Sequence, residues 1–204
     1  DLPARRGPAP QVATRRRDRC DVSIILCTRD RAALLDRMLS SLEKAATGVS
    51  YEVIAVDGGS SDAASKVLRR HGIGPVYAES EHLGPGRHCW AELYNFGFSK
   101  ARGTWAMYAS DDIEFSAGSI DRAVDLLQRQ RSNVAGGIFF YKNAHPTRPE
   151  WGDYGIDFTI GMKLLLNYGL VRLDAFRQVG RLDESYRFYC GDTDFCFKLY
   201  ERRM

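Results

Sequence analysis

The sequence predicts an α/β fold with a mostly parallel central sheet and helices on both faces. Short runs rich in β-branched residues recur along the chain, and segments with apolar residues at helical spacing separate them. Strands that alternate with helices favour parallel pairing, because each helix carries the chain back to begin the next strand in the same direction. The chain has 204 residues, of which 44% are hydrophobic, which is enough for one sizeable core.

The first two strand–helix units carry the clearest patterns. "DVSIILC" (21–27) is a short apolar run typical of a buried strand. Residues 30–46 follow with apolar side chains at helical spacing, and Asp30 is the expected N-cap. "YEVIAVD" (51–57) is the second strand, and "AASKVLRRH" (63–71) is the second helix.

The later elements follow the same alternation. We expect a strand at 75–79, a helix at 89–101, a strand at 103–110, a helix at 120–131 and a strand at 134–141. The helix at 89–101 is expected although it contains Gly97, a residue that is unfavourable in a helix interior. The stretch 142–173 begins as a loop and returns to strand structure, and a helix beginning near Asp192 closes the chain.

The first 20 residues differ in composition from the rest of the chain. They hold six arginines and two aspartates, are rich in Pro and Ala, and have no apolar period. We interpret 1–20 as a flexible basic arm, either a solvated tail or an arm that binds a membrane surface or a partner. We expect residues 21–204 to form a single domain, either minimal or truncated at its C-terminus, and their near-neutral charge argues against a nucleic-acid partner.

The cysteines and the hydropathy pattern bear on location. The five cysteines are scattered and form no CxxC pair, which fits a reducing compartment. No run approaches 18 apolar residues, so the sequence predicts no membrane span. We therefore expect a cytoplasmic protein, peripheral at a membrane surface if the arm binds there. His82, His88 and His145 are expected at the surface, with no convergent partners.

Polar side chains follow three of the predicted strands. The first strand ends at Thr28 and Arg29, the second at Asp57, and the fourth at Ser110 with Asp111 and Asp112. Ligands of open α/β sheets bind outside the carboxyl ends of the strands, so these groups are expected at one edge of the sheet.

The acidic pair Asp111 and Asp112 allows two interpretations. Adjacent carboxylates repel and raise each other's pKa unless water solvates them or a cation lies between them. Such a pair is also typical of turns and helix caps. Together with Asp57 on the neighbouring strand, the pair favours a hard cation, Mg²⁺ or Mn²⁺, bound with a nucleotide diphosphate.

The sequence lacks the motifs of several other common nucleotide, metal and hydrolase sites. There is no GxxxxGK[ST], no HExxH, no GxSxG and no Cys/His cluster. "GPGRHC" (84–89) is a partial GxGxxG that does not follow a strong strand. A nucleotidyltransferase would need a Gly-rich loop after the first strand, and "CTRDRAA" contains no Gly.

Four blocks in this order resemble glycosyltransferase family 2. They are "VSIILCTRDRAALLDRMLSSL", "YEVIAVDGGSSD", "NFGFSKARGTWAMYASDDIEF" and "VGRLDESYRFYCGDTDF". The resemblance runs from Val22 to the chain end, with 142–165 unmatched. It implies the GT-A fold, a nucleotide-binding α/β sandwich, and an inverting transferase that moves a sugar from a nucleotide sugar, a UDP-sugar first of all, to an acceptor hydroxyl. The acceptor would be a glycan, a lipid-linked molecule or a small molecule.

The resemblance also implies roles for individual residues. Thr28, Arg29, Asp57, Asn95 and Asp111 would bind the donor. Asp111 and Asp112 stand at the family's DxD metal motif, and Asp112 matches its last, metal-binding Asp. Asp192 stands at the position of the catalytic base, although its place before a helix is also typical of an N-cap.

The chain departs from the family pattern at three positions. Ser110 replaces the first Asp of the DxD motif, Tyr94 replaces the Arg before Asn95, and Arg29 replaces a common Tyr. Ser110 favours an alternative function, that of a catalytically degenerate module that binds a nucleotide sugar or a glycan.

Two aromatic side chains are candidates for acceptor contacts. Trp151 and Tyr154, in "WGDYGIDF", could stack on sugar rings, or they could pack beneath their loop.

Overall fold

A computed structural model of the protein describes residues 20–139, 168–187 and 189–204. Its strands form one six-stranded sheet of order β3-β2-β1-β4-β6-β5. The strands are β1 (Val22–Thr28), β2 (Tyr51–Asp57), β3 (Val76–Ala78), β4 (Trp105–Ser110), β5 (Gly136–Ile138) and β6 (Gly169–Arg172). The helices are α1 (Ala32–Ala45), α2 (Ala64–Arg70), α3 (Glu79–His82), α4 (Trp90–Lys100), α5 (Ser119–Gln128), α6 (Leu173–Val179) and α7 (Gly191–Glu201).

The sheet is mostly parallel, as the alternation of elements predicts. β1 pairs in parallel with β2 and with β4, and β3 pairs in parallel with β2. β6 runs antiparallel to both of its neighbours, β4 and β5. The four parallel strands therefore end at one edge, which we call the carboxyl edge.

Two apolar cores lie on opposite faces of the sheet. Ile24 and Leu26 of β1 belong to the core formed with α1, α2 and α5. Ile25, the residue between them, belongs to the core formed with α4, α6 and α7, in which the rings of Phe98 and Phe176 stack with centroids 3.9 Å apart. This alternation follows from the period of two along a strand, and it confirms the prediction of helices on both faces.

Gly97 has a packing role in α4. A Cβ added at this position would lie 2.3 Å from Cγ2 of Ile25, so the missing side chain lets the helix approach β1. The predicted helix therefore forms despite its glycine, because the lost helix propensity is offset by close packing on the sheet.

Several local predictions need correction. The short helices α3 and α6, of four and seven residues, are absent from the predicted elements. The N-cap of α1 is Arg31 rather than Asp30, which has a φ of 52°. The Ala32 N–H instead donates to Oδ2 of Asp62, at 2.7 Å. This partner lies 30 residues away in sequence, beyond the range of a local capping pattern.

Some predictions fall outside the described residues. The aromatic residues Trp151 and Tyr154 do, as do His145 and nearly all of the arm at 1–20. Among the helices that the structure describes, none has the length and hydrophobicity needed to cross a bilayer.

We predict that Gly97→Ala destabilises the protein, although Ala is the better helix former by about 1 kcal/mol. The new methyl group would force Ile25 out of position, and overpacking of this kind typically costs about 1–3 kcal/mol. The measurement is the free energy of unfolding in urea. Ser99→Ala, on the exposed side of α4, is the control and should change it by less than about 0.5 kcal/mol. A stabilised Gly97→Ala variant would contradict the close approach of helix and sheet.

Candidate functional site

The register of the parallel strands brings their polar ends together. Thr28 at the end of β1 lies opposite Asp57 at the end of β2. On the other side of β1, Cys27 lies opposite Ser110, the last residue of β4. The predicted convergence at the carboxyl edge is therefore confirmed.

The acidic pair is held from both sides by hydroxyl groups. Asp111 is buried, with an exposed fraction of 3%, and its Oδ2 accepts a hydrogen bond of 2.8 Å from the Thr28 hydroxyl. Asp112 is exposed, and its Oδ1 accepts a hydrogen bond from the Ser110 hydroxyl. Ser110, which departs from the family motif, thus orients one of the two carboxylates.

The remaining oxygens of the pair face an arginine that the sequence analysis missed. Nη1 of Arg31 lies 3.2 Å from Oδ1 of Asp111 and 3.1 Å from Oδ2 of Asp112. A cation therefore lies between the two carboxylates, and it is a guanidinium. The signal was present in the sequence, since Arg31 is a basic residue just after a strand end at the same edge.

The buried carboxylate has a shifted pKa. Burial raises the pKa of Asp111 above its ordinary value, while the hydrogen bond from Thr28 and the charge of Arg31 act in the opposite direction. Burial dominates, so the charged form of Asp111 is costly and depends on cationic and donor groups around it.

The loops that follow β1 and β2 are joined by hydrogen bonds. The Ser61 N–H donates to Oδ1 of Asp30 at 2.7 Å, and the Asp30 N–H donates to Oγ of Ser60 at 3.1 Å. Asp62 accepts from the first N–H groups of two helices, those of Ala32 and Ala64. These bonds fix the loop that carries Arg31 relative to the second strand.

Asp57 is half-buried and lies next to these hydrogen-bonded loops. Its Oδ1 accepts from the Ser60 N–H at 2.8 Å, and the Gly58 N–H donates to the Thr28 carbonyl at 2.9 Å. Arg29 is exposed, and its Cβ lies 3.5 Å from the position of a Cβ added at Gly58. The structure thus brings Thr28, Asp57 and Arg29 together, and their donor-binding roles stay predictions.

A second buried carboxylate follows β3, whose last residue, Ala78, lies opposite Asp57. Glu79, the first residue of α3, is 6% exposed, and its Oε1 accepts from the His88 N–H at 2.6 Å and contacts His88 Nδ1 at 3.0 Å. The expectation that His88 lacks a partner is therefore wrong. The partners lie nine residues apart across an irregular segment, where no periodic pattern links them.

Asp192 lies in the first turn of α7 and is buried, with 8% of its surface exposed. The N-cap of this helix is Cys190, so Asp192 is not the cap. Burial raises the pKa of Asp192, and backbone N–H groups of the first turn oppose the rise. Asp194 instead forms an ion pair with Lys198 at 2.7 Å, in keeping with the structural role expected for it.

Aromatic rings line the region behind Asp192. A Cβ added at Gly191 would lie 2.9 Å from Cζ2 of Trp90, so the indole packs directly against the start of α7. The Trp90 ring contacts Tyr108 of β4, with centroids 6.0 Å apart. Burial and the nearby charge of Asp192 raise the pKa of Tyr108. Because Tyr108 lies three residues before Asp111, Asp192 lies near the same end of β4.

Asn95 is in a different setting from the other predicted donor ligands. Its Nδ2 donates to the Leu182 carbonyl at 2.9 Å and to Oε1 of Glu184 at 2.8 Å. Its Oδ1 accepts from the Leu182 N–H at 2.9 Å. The side chain is 3% exposed and links α4 to the turn at 182–185, and its role in donor binding stays a prediction without a supporting contact.

The residues at the carboxyl edge fit a hard divalent cation. Within the described ranges no three His, Cys, Asp or Glu side chains converge on one point. The two carboxylates of Asp111 and Asp112 nevertheless converge on one cation, the Arg31 guanidinium, and supply oxygen ligands. Two carboxylates completed by phosphate oxygens and water are a common arrangement for Mg²⁺, which rarely has an all-protein cage.

Comparison with solved structures defines the fold class. The chain resembles S. aureus TarS 1-349 in complex with UDP-GlcNAc, with 17% identity and a TM-score of 0.66 over 88% of this chain and 53% of that one. It also resembles glucosyl-3-phosphoglycerate synthase from Mycobacterium tuberculosis in complex with Mn²⁺, UDP and glucosyl-3-phosphoglycerate. The identity is 14% and the TM-score 0.65, and the match covers 90% of this chain and 66% of that one.

A third similar structure is the mannosyltransferase PcManGT from Pyrobaculum calidifontis in complex with GDP-Man and Mn²⁺, with 16% identity and a TM-score of 0.66 over 89% of this chain and 52% of that one. The chain thus has the GT-A glycosyltransferase fold, as predicted, and spans about half to two thirds of the length of these three proteins.

The family assignment follows from the sequence profile. The profile of glycosyl transferase family 2 matches residues 23–183, and the chain belongs to this family. A comparison with curated proteins gave no match.

We predict that Asn95→Ala destabilises the fold, and its effect on UDP affinity tests the separate prediction that Asn95 binds the donor. The substitution removes both donors to the 182–184 segment and leaves buried partners unsatisfied, which typically costs about 1–3 kcal/mol. Urea unfolding and calorimetric titration with UDP, with Ser99→Ala as the control, measure both effects. Weakened UDP binding with an unchanged free energy of unfolding would assign Asn95 to the donor site instead.

Proposed function

We propose that this chain transfers a sugar from a nucleotide diphosphate sugar to an acceptor hydroxyl, with inversion at the anomeric carbon. The observation that carries the proposal is the strand register that gathers Thr28, Asp57 and the acidic pair at one edge of the sheet. Membership of glycosyl transferase family 2 supports it, as do the similar structures in complex with UDP, UDP-GlcNAc and GDP-Man. A UDP-sugar is the expected donor.

The nucleoside would bind beside the second strand. Asp57 has one carboxylate oxygen bonded to the Ser60 N–H, and its other oxygen can accept from a base N–H or a ribose hydroxyl. Thr28 orients Asp111 through its hydroxyl, and Arg29, the exposed residue that follows Thr28, would supply a positive charge to the donor.

Asp111 and Asp112 would hold a divalent cation, Mn²⁺ or Mg²⁺, at the donor diphosphate. When bound, such an ion neutralises the charge that develops on the leaving group. Asp112 is the more accessible of the two carboxylates, and Asp111 is anchored by Thr28. Two of the similar structures contain Mn²⁺, which supports this cofactor.

Asp192 would act as the general base. Inverting transfer requires that the acceptor hydroxyl lose its proton as it attacks the sugar face opposite the leaving group. The carboxylate of Asp192 lies near the end of β4, and its burial raises its pKa. A raised pKa makes this carboxylate a stronger proton acceptor than an exposed Asp, provided that the pH keeps it ionised.

Trp151 and Tyr154 are proposed acceptor contacts and lie outside the described residues. A glycan, a lipid-linked molecule and a small molecule all remain expected acceptor classes. The cytoplasmic location and the membrane contact of the arm also stay predictions.

A nucleotide-sugar binding module without turnover is the second candidate. The observation that favours it is Ser110 at the first position of the metal motif, where the hydroxyl offers no charge to a cation. Slow release of UDP from a UDP-sugar in the absence of acceptor distinguishes the two candidates, because a transferase catalyses this hydrolysis and a binding module releases none.

We predict that Asp112→Ala abolishes the gain in UDP affinity that Mn²⁺ provides. The change removes the accessible charged ligand, and the metal-dependent gain should fall at least about tenfold, or about 1.4 kcal/mol. Calorimetric titration of UDP with and without Mn²⁺ measures the gain. Glu114→Ala removes an exposed carboxylate two residues away and should leave the gain intact. Retention of the full gain by Asp112→Ala would place the cation elsewhere.

We predict that Asp192→Asn lowers single-turnover transfer by roughly 10²–10⁴, the usual effect of a positioned general base, with donor and metal affinity near normal. Asp194→Asn is the matched control and should cost far less, since its carboxylate is paired with Lys198. Equal effects of the two variants would argue that Asp192 is structural.

The pH profile gives an independent readout of the same residue. A general base works in its ionised form, so kcat/KM should be lost as the pH falls through the pKa of Asp192. Because burial raises that pKa, the loss should begin at a higher pH than the ordinary Asp value of about 3.9 would give. Asp192→Asn should lack this acid limb, and a variant that keeps it would show that another group titrates.

A further inference from the structure

One guanidinium nitrogen holds the two carboxylates of the proposed metal site. Nη1 of Arg31 lies at ion-pair distance from Oδ1 of Asp111 and Oδ2 of Asp112, at 3.2 and 3.1 Å. The Arg31 side chain is 50% exposed, whereas that of Asp111 is 4% exposed. The arginine thus reaches in from the solvent to a largely buried acid.

No oxygen of the acidic pair is free of a partner. The second oxygen of Asp111 accepts from Thr28, and the second oxygen of Asp112 accepts from Ser110. Each of these oxygens keeps a second lone pair, but a cation that bridges the two carboxylates must bind where their oxygens converge. The oxygens that converge on a single point are those that face Arg31, so the cation and Nη1 require the same position.

We infer that Arg31 is a resident counterion of Asp111 and Asp112 that a divalent cation must displace. This inference rests on the proposed function, and it assigns Arg31 a positioning role. Without donor, the guanidinium balances the pair and weakens binding of the metal alone. With donor, the diphosphate supplies negative charge both to the metal and to the displaced guanidinium. Metal binding therefore depends on the nucleotide more strongly than the carboxylates alone would require.

The placement of Arg31 suits such an exchange. Arg31 is the N-cap of α1, so its side chain lies at the carboxyl edge, where the diphosphate is proposed to bind. Its backbone is fixed because Asp62 accepts from the Ala32 N–H and Asp30 from the Ser61 N–H. Only the half-exposed side chain has to change partners.

The experiment is Mn²⁺ binding to the full chain, measured by the loss of the free-ion EPR signal, with and without UDP. Removal of the guanidinium removes a competitor for the carboxylate oxygens and a positive charge that repels Mn²⁺. Arg31→Gln should therefore bind Mn²⁺ without UDP roughly tenfold more tightly than wild type. The factor by which UDP strengthens Mn²⁺ binding should fall to a similar extent.

Two further variants serve as a charge control and as a second test of Arg31. Arg37→Gln removes one positive charge from α1, at a residue paired with Glu114, and it should bind Mn²⁺ as wild type does. Arg31→Ser places a preferred N-cap residue at the start of α1, and it keeps the test usable if Arg31→Gln folds poorly. It should show the same gain.

The outcomes separate this inference from the proposed function. If UDP strengthens Mn²⁺ binding in wild type, but neither Arg31 variant binds Mn²⁺ more tightly without UDP, the counterion role is wrong and the proposed function stands. If the Arg31 variants bind Mn²⁺ more tightly but UDP has no effect on any protein, competition at the pair is supported and the nucleotide donor is overturned. An equal gain in Arg37→Gln would show a general charge effect and overturn the inference.

Discussion

The constraint on which the site depends is the compensation of two adjacent carboxylates at the end of β4. Asp111 is buried, and a buried charge is retained only if donors or opposite charges replace the lost water. Thr28 supplies a donor from β1, and Arg31 supplies the charge from the start of α1. The acidic pair is thus stabilised by groups from two elements outside β4, and its geometry follows from how those elements are joined.

The parallel sheet makes this arrangement rigid. β1 pairs with both β2 and β4, so the end of β1 is fixed against Asp57 on one side and Ser110 on the other. Hydrogen bonds between the two following loops, in which Asp30 and Asp62 are the acceptors, then fix the position of Arg31. A nucleotide that binds at this edge would meet groups that need little reorganisation, which is the condition for strong electrostatic stabilisation.

The sequence predicts the framework well and the contacts poorly. β2 was predicted at its observed bounds, because a buried strand bounded by turn residues has a strong local pattern. The acids at the strand ends were found because a parallel sheet places them at one edge. Arg31 and Glu79 were missed because their partners are distant in sequence or lie across irregular loops, and no periodicity links them. The family resemblance implies that Asn95 binds the donor, yet in the fold its side chain bonds to the backbone of Leu182.

The most direct test of this account is a crystal structure of the full chain with UDP and Mn²⁺, using the anomalous signal of manganese to locate the ion. The account predicts a peak bonded to Asp112 and to the diphosphate, the uridine beside Asp57, and the Arg31 guanidinium moved away from the acidic pair. Uridine bound away from the carboxyl edge, or a nucleotide bound there with Arg31 still between Asp111 and Asp112 and no manganese peak, would contradict it.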